Sequence, residues 1–267
     1  EKILFDAYDV DYRTTDEQFR LVRCARCGLV YINPRPEESE MNQYYPDRYR
    51  PHKRRTGVSM FRYTEPTNPA KRVLDVGCGS GELLEAIAEQ EKNTALYGVD
   101  IDERVVAATR AAGFPVVQGT LFNARYSDAY FDEIYFMHIL EHVQDPKAVL
   151  KEAARILKPT GVLKIEIPNF QSISRIIFGN KWKRLDAPRH LYHFTPHTLR
   201  LLLNTSGFSR VDISGIASPK YFLQSYAFWR WGKKQLFSRF VWYFFTPPAR
   251  VAALLGISST MRAVVRK

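Results

Sequence analysis

The stretch that decides the fold is Leu74-Asp75-Val76-Gly77-Cys78-Gly79-Ser80-Gly81-Glu82-Leu83-Leu84. An apolar run at 71–76 leads into three glycines at alternate positions. Residues 82–90 follow, with Leu83, Leu84, Ile87 and Ala88 at helical spacing. A strand, a glycine turn and a helix start bring backbone N–H groups close to a ligand. The dinucleotide fingerprint sets its third glycine five residues after the first, whereas here it comes after four. Asp75 also precedes the turn. A carboxylate there repels a pyrophosphate but suits an amino-bearing cofactor. Asp100, at the end of the next apolar run, is placed to accept both hydroxyls of a ribose.

Beyond this stretch, strands are expected at 95–99, 114–118, 131–137, 162–167, 208–214 and 262–266. Helices are expected at 103–112, 145–157 and 195–206. Strands alternating with helices predict an α/β fold: a doubly wound, mostly parallel seven-stranded sheet with helices on both faces. The organisation reads as a leader at 1–63, a core at 64–214, a helical insertion at 215–260 and a last core strand at 261–267.

These pieces together resemble the class I S-adenosylmethionine-dependent methyltransferases. The resemblance rests on LDVGCGSGELL, YGVDID, FDEIYFMHILEHVQDP, ILKPTGVLKIEIPN and the final AVVRK. It implies that Asp75, Gly77, Cys78, Gly79 and Gly81 hold the methionine part of S-adenosyl-L-methionine and that Asp100 holds the ribose. Ile101 would flank the adenine, with Gly119 and Thr120 nearby, and Met137 and His138 would face the sulfonium. Many relatives carry an acid where this chain has Thr120.

Methyl transfer to a hydroxyl needs alignment and a base, and near neutral pH histidine is the readiest base. Of six histidines, His138 and His142 follow the fourth core strand. His190, His193 and His197 follow the fifth, at the same sheet edge. His142 and His190 are the foremost base candidates, and His193 is next. The Leu-Glu-His-Val piece also resembles quinone-pathway O-methyltransferases, which implies a divalent-ion site at His138, Glu141 and His142. No Asn-Pro-Pro-aromatic or Pro-Cys motif follows the fourth strand, so base methylation is disfavoured. The reading is O-methylation of a small-molecule, sugar or lipid-linked acceptor with a histidine base. Two alternatives stand beside it: a cofactor-binding adaptor without catalysis, and a nucleic-acid methyltransferase.

The flanks add two features. Cys24-Ala-Arg-Cys27-Gly28 is a knuckle-like turn offering half a zinc site. It resembles the second half of the zinc ribbon preceding the core in one branch of these enzymes. In that branch another Cys pair lies upstream, which here would precede Glu1, and zinc would belong to the longer protein. Three cysteines in 267 residues make no disulfide framework, so the expected setting is cytoplasmic.

The formal net charge is +11. It is unevenly spread: −3 over residues 1–169 and +14 over 170–267, where Asp186 and Asp212 are the only acids. Residues 221–245 carry 12 of the chain's 36 aromatics, interleaved with bases. Such a tract suits an amphipathic helix packed on the core, or a peripheral helix on an anionic membrane, more than a nucleic acid. Two helices joined at Pro247-Pro248 are expected there. No uncharged apolar run reaches ~18 residues, so a spanning helix is not expected. A second basic patch, Arg48 to Arg55, precedes the core and could meet a substrate phosphate.

Overall fold

The computed structural model describes residues 1–46, 62–231 and 239–267. The basic patch at 48–55 lies outside these residues. So do Lys233, Lys234 and Phe237 of the aromatic tract.

Two sheets form the molecule. The larger has seven strands: β4 (Lys71–Val76), β5 (Thr94–Asp100), β6 (Val116–Gln118), β7 (Phe131–Met137), β8 (Leu157–Pro168), β10 (Arg210–Gly215) and β11 (Thr260–Arg266). Their spatial order is β10-β11-β8-β7-β4-β5-β6. β4 pairs in parallel with both β5 and β7, and β7 with β8, while β11 runs antiparallel between β8 and β10. The expected doubly wound sheet is therefore present. Along β7 and β8 fully buried apolar residues alternate with partly exposed ones such as Glu133, Tyr135 and Lys164, so one face of these strands carries the core, while β4 is buried from Val73 to Val76. Leu74, Ile134, Phe136, Leu163 and Ile165 are fully buried together.

The helices α1 (Glu82–Gln90), α2 (Glu103–Ala111), α3 (Pro146–Ile156) and α5 (Pro196–Asn204) fill the crossovers. Their starts obey local rules. Asp102 and Asp145 cap α2 and α3 by accepting from Arg104 N and Ala148 N, and Thr195 forms a capping box with Thr198.

The smaller sheet joins β1 (Lys2–Ala7), β2 (Phe19–Arg23) and β3 (Val30–Ile32) to a two-residue β9 (Tyr192–His193). The leader is thus stitched to the loop after β8, with Val30 opposite His193 and Tyr31 opposite Tyr192. Its apolar face packs Phe19, Leu21 and Ile32 against Phe170 in the turn after β8, Phe178 of a short helix, α4 (Ile173–Phe178), and Trp182 beyond it.

Two expectations need correcting. β8 begins at Leu157, immediately after α3, rather than beyond Gly161. Residues 131 to 133 of β7 face 157 to 162 of β8, and this irregular register absorbs Pro159 and Gly161. The tract before the last strand forms α6 (Lys220–Trp231) and α7 (Arg239–Leu254), and α7 runs through Pro247-Pro248 instead of breaking there. Both prolines are exposed. The carbonyls that would accept from positions 247 and 248 belong to Tyr243 and Phe244, residues on the exposed side of the helix.

Candidate active site

The carboxyl ends of β4, β5, β7 and β8 share one sheet edge, the usual ligand crevice of such folds. Asp75 stands near the end of β4, 3% exposed, and its Oδ1 has no hydrogen-bond partner. Burial and the nearby Asp100 charge push its carboxyl up to about 8. Gly77 and Gly81 turn the chain at φ +72° and +80°. A Cβ on Gly77 would lie 2.1 Å from Ile139 Cδ1, and one on Gly81 2.9 Å from Thr109 Cγ2. The left-handed conformation is what favours glycine at both positions, and a side chain there would also have to displace the ends of Ile139 and Thr109.

Asp100 accepts from Gly79 N (2.8 Å) and Asp102 N (2.9 Å), which fixes its carboxylate beside the loop. Ile101 is 64% exposed next to it, an uncovered apolar surface at the crevice mouth. Gly119 N donates to Asp100 O, while Thr120 is tied by its N and hydroxyl to Asn123 Oδ1. The Thr120 oxygen keeps only its acceptor capacity. Cys78 contributes backbone alone. Its thiol is buried with Val73, Leu84 and Leu96, and burial raises its pKa, so it is an uncharged packing group. Met137 is half-buried at the end of β7.

An orphaned acid beneath a glycine cradle, a second acid fixed beside it and an exposed isoleucine fit S-adenosyl-L-methionine. The orphan oxygen would receive the amino group, Asp100 the ribose and Ile101 the adenine. When bound, that cofactor supplies an electrophilic methyl group on a positively charged sulfur.

The histidines gather beyond β7. Glu141 is fully buried and neither carboxylate oxygen has a hydrogen-bond partner; His138 Nδ1 is 3.4 Å away and His190 Nε2 3.9 Å. Burial opposes its charge, but His138, His142 and Arg184 outweigh that and hold its pKa below the ordinary value. His142 Nδ1 lies 3.0 Å from Arg189 O, and His190 Nδ1 3.0 Å from Arg184 O. A carbonyl only accepts, so both Nδ1 atoms carry the proton and both Nε2 atoms present lone pairs. The two rings meet edge to face at 4.6 Å. Donor atoms of Glu141, His142 and His190 all lie within 4.8 Å of one another.

Burial lowers the pKa of both histidines. Glu141 and Asp186 counter this at His142, whereas His142 and Arg184 lower His190 further. His193, on β9, is buried against Phe170, with burial lowering its pKa to about 3, and both its nitrogens lack hydrogen-bond partners. His197 is exposed on α5 and does not belong to the Glu141 group.

The divalent-ion trio expected at His138, Glu141 and His142 is different in the structure. His138, at φ +61°, lies 2.7 Å by its Nδ1 from Arg184 Nη2, and a guanidinium only donates. His190 takes its place beside Glu141 and His142. Two imidazoles fixed through Nδ1–H to carbonyls, plus a carboxylate, do fit a divalent ion.

Four further residues shape the site without having been candidates by sequence pattern. Tyr45 brings its hydroxyl from the leader to 3.1 Å of His142 Nδ1. Arg184 stacks on Tyr221, 4.2 Å from the ring centroid, and reaches His138. Asp186 lies 3.7 Å from His190 Nε2. Arg189, fully buried, bonds to Asp9, Asp186 and Tyr44 O, locking the leader to the site. Asp186 carried a signal, being the only acid between residues 170 and 211 and next to a histidine block.

At the far end of the leader, Cys24 and Cys27 close a tight turn through Gly28 N to Cys24 O (3.0 Å), with Gly28 at φ +77°. Backbone N–H groups of Cys27 and Arg26 lower the Cys24 thiol pKa. The pair supplies two of the four ligands a structural zinc takes, and no group of three metal donors among the described residues includes them. The described residues alone therefore do not close a zinc site.

A family described as "Methyltransferase domain" matches residues 47–213. A probable S-adenosylmethionine-dependent methyltransferase of Mycolicibacterium smegmatis is 32% identical over 147 residues, 54% of each chain. A ubiquinone biosynthesis O-methyltransferase of Psychrobacter arcticus is 34% identical over 164 residues, 55% of this chain and 62% of that one. The matches thus span only a little over half the length of these relatives. Among solved structures, a SAM-dependent methyltransferase from Archaeoglobus fulgidus superposes with TM-score 0.53 at 23% identity, covering 75% of this chain and 87% of that one.

Proposed function

The chain belongs to the S-adenosylmethionine-dependent methyltransferase-domain family, and from that premise we propose that it methylates a hydroxyl oxygen on a small-molecule, sugar or lipid-linked acceptor. The observation that carries this is the meeting of acceptor atoms of Glu141, His142 and His190 within 4.8 Å of one another, with no hydrogen bond to the Glu141 carboxylate among the described residues. His190 Nε2 lies 3.9 Å from Glu141 Oε1, and neither Glu141 oxygen has a hydrogen-bond partner. A hydroxyl group entering there supplies the missing proton donor.

In this reading His142 is the general base. Its Nδ1–H is held by the Arg189 carbonyl, so Nε2 takes the acceptor proton, and buried Glu141 stabilises the imidazolium that results. His190 orients the same hydroxyl. His193 stays neutral and supports β9. Arg184, beside His138, suits an acceptor bearing an anionic group. Tyr45, with its hydroxyl 3.1 Å from His142 Nδ1, would border the acceptor. The similarity to a ubiquinone-pathway O-methyltransferase supports oxygen as the methylated atom.

The same three donors favour a second reading, in which Glu141, His142 and His190 hold a divalent ion that would polarise the acceptor oxygen as a Lewis acid. The test is a screen of cell-extract fractions with methyl-labelled cofactor, run before and after exhaustive chelation. Label in a small or lipid-soluble product, stable to base and unaffected by chelation, is expected. Loss of transfer on chelation, restored by a divalent ion, selects the second reading. Label only in RNA or DNA contradicts both. Cofactor binding without transfer to any fraction points to a non-catalytic adaptor.

A further inference from the structure

Helices that bury apolar faces normally leave polar ones outside. α7 does the opposite. Tyr243, Pro247, Val251 and Leu254 recur at steps of four, four and three, a single helical stripe, and all four are exposed. Tyr243 is 82% exposed and Leu254 89%, with Phe244 and Leu255 flanking the stripe at 68% and 66%.

The stripe has neighbours. Phe222 of α6 stacks on Phe245 of α7, with centroids 6.0 Å apart, and Phe178 of α4 meets Trp229 of α6 at 6.4 Å. Ile173 N, at the start of α4, donates to Ile257 O just past α7. The three helices are therefore contiguous. α4 adds exposed Ile176 and Ile177, and α6 adds exposed Trp229 and Trp231. Leu254 also lines an open, largely apolar cleft of about 620 Å³ between α7 and β10, with Arg250 at its side. Contiguous exposed apolar surface on this scale marks an interaction site.

The charge says what covers it. α4, α6 and α7 contain no acid, and no acid follows Asp212 in the chain, while nine Lys or Arg do. Among the described residues Lys181, Lys220, Arg230 and Arg250 are exposed around the aromatics. A second copy of the chain would bring like charge against like. Tryptophan, tyrosine and branched aliphatics ringed by bases match the headgroup layer of an anionic bilayer. No described helix is long and apolar enough to cross a membrane, so contact would be peripheral.

We propose that α4, α6 and α7 form a docking face for an anionic lipid bilayer, with the α7 stripe inserted at the headgroup–acyl boundary. This surface stands independently of the acceptor and of methyl transfer.

The test is co-sedimentation of the whole chain with phosphatidylcholine vesicles and with vesicles containing about a third phosphatidylglycerol. Partitioning onto the anionic vesicles is expected to be at least about tenfold stronger, and to weaken as salt is raised. Tyr243→Ser with Phe244→Ser, and separately Leu254→Ser with Leu255→Ser, should each lower it about tenfold or more while leaving the thermal melt in place. Trp229→Ala with Trp231→Ala should act in the same direction. Equal partitioning to neutral and anionic vesicles, no partitioning, or full retention in both serine variants overturns the proposal. A dimer in sedimentation velocity that the serine variants dissolve, without vesicle binding, assigns the face to a second copy instead.

Discussion

Replacing His142 with Asn is expected to lower kcat by about 10² to 10⁴, the usual contribution of a positioned general base. Asn cannot take a proton, although its amide can still donate to the Arg189 carbonyl, so cofactor affinity should change little. The pH profile adds a check that a packing role would not produce. A base must be unprotonated to act, and burial holds the pKa of His142 below its ordinary value of 6.5. Wild-type activity should therefore persist below pH 6.5 and fall on an acid limb beneath it, and that limb should vanish in the variant. Glu141→Gln should show a similar loss, because the imidazolium loses its counter-charge. An unchanged kcat and profile in both variants would remove the base assignment.

The largest effect on stability is expected at Arg189. Its guanidinium is fully buried and bonds to Asp9 Oδ1 (2.5 Å), Asp9 Oδ2 (3.1 Å) and Asp186 Oδ1 (2.8 Å). Arg189→Met leaves Asp9 buried without its cation, at a cost of about 3–5 kcal/mol. Denaturant titration measures it. The pH dependence carries a sign. Burial opposes the Asp9 charge, but Arg189 and Thr14 outweigh it and hold the carboxyl down to about 2. A depressed acid contributes stability above its unfolded pKa, and that contribution is lost as pH falls toward 2. In the variant the Asp9 carboxyl moves upward, so acid relieves its burden. The stability gap between wild type and Arg189→Met should shrink as pH falls from 7 toward 3. A gap that stays constant with pH would mean that packing, not charge, holds the leader.

The core was legible because its signals are local. The run into Gly77 and the 3.6-residue spacing of 82–90 are written within twenty residues, and the structure places α1 on those residues. The convergence of His142 with His190 was foreseen only as a shared sheet edge. Its tautomers depend on the carbonyls of Arg184 and Arg189, which no spacing reveals. The Asp9–Arg189 pair spans 180 residues, and Tyr45 reaches His142 across 97. Contacts of that range follow from how the leader folds back, which single-residue patterns do not encode. β9 is two residues long and exists because β3 offers it an edge. Pro247-Pro248 reads locally as a helix break, yet both prolines lie on the exposed side of α7, a facing that chain position does not reveal.

In the proposed site Asp75 receives the cofactor's amino end. With its pKa raised to about 8, the free protein binds a proton there at neutral pH. The same proton makes the cofactor-free chain less stable as pH rises from about 4 to 8, because the folded state holds it and the unfolded chain does not. Cofactor binding through the carboxylate must release it. Calorimetric titration with S-adenosyl-L-methionine between pH 6 and 9 should therefore show affinity rising about tenfold per pH unit at first. The rise should level near 8 and turn over as the ligand's own amino group loses its proton. Asp75→Asn should bind far more weakly and lose the rise. No binding heat at any pH, or affinity and pH dependence unchanged in Asp75→Asn, would contradict this role for Asp75.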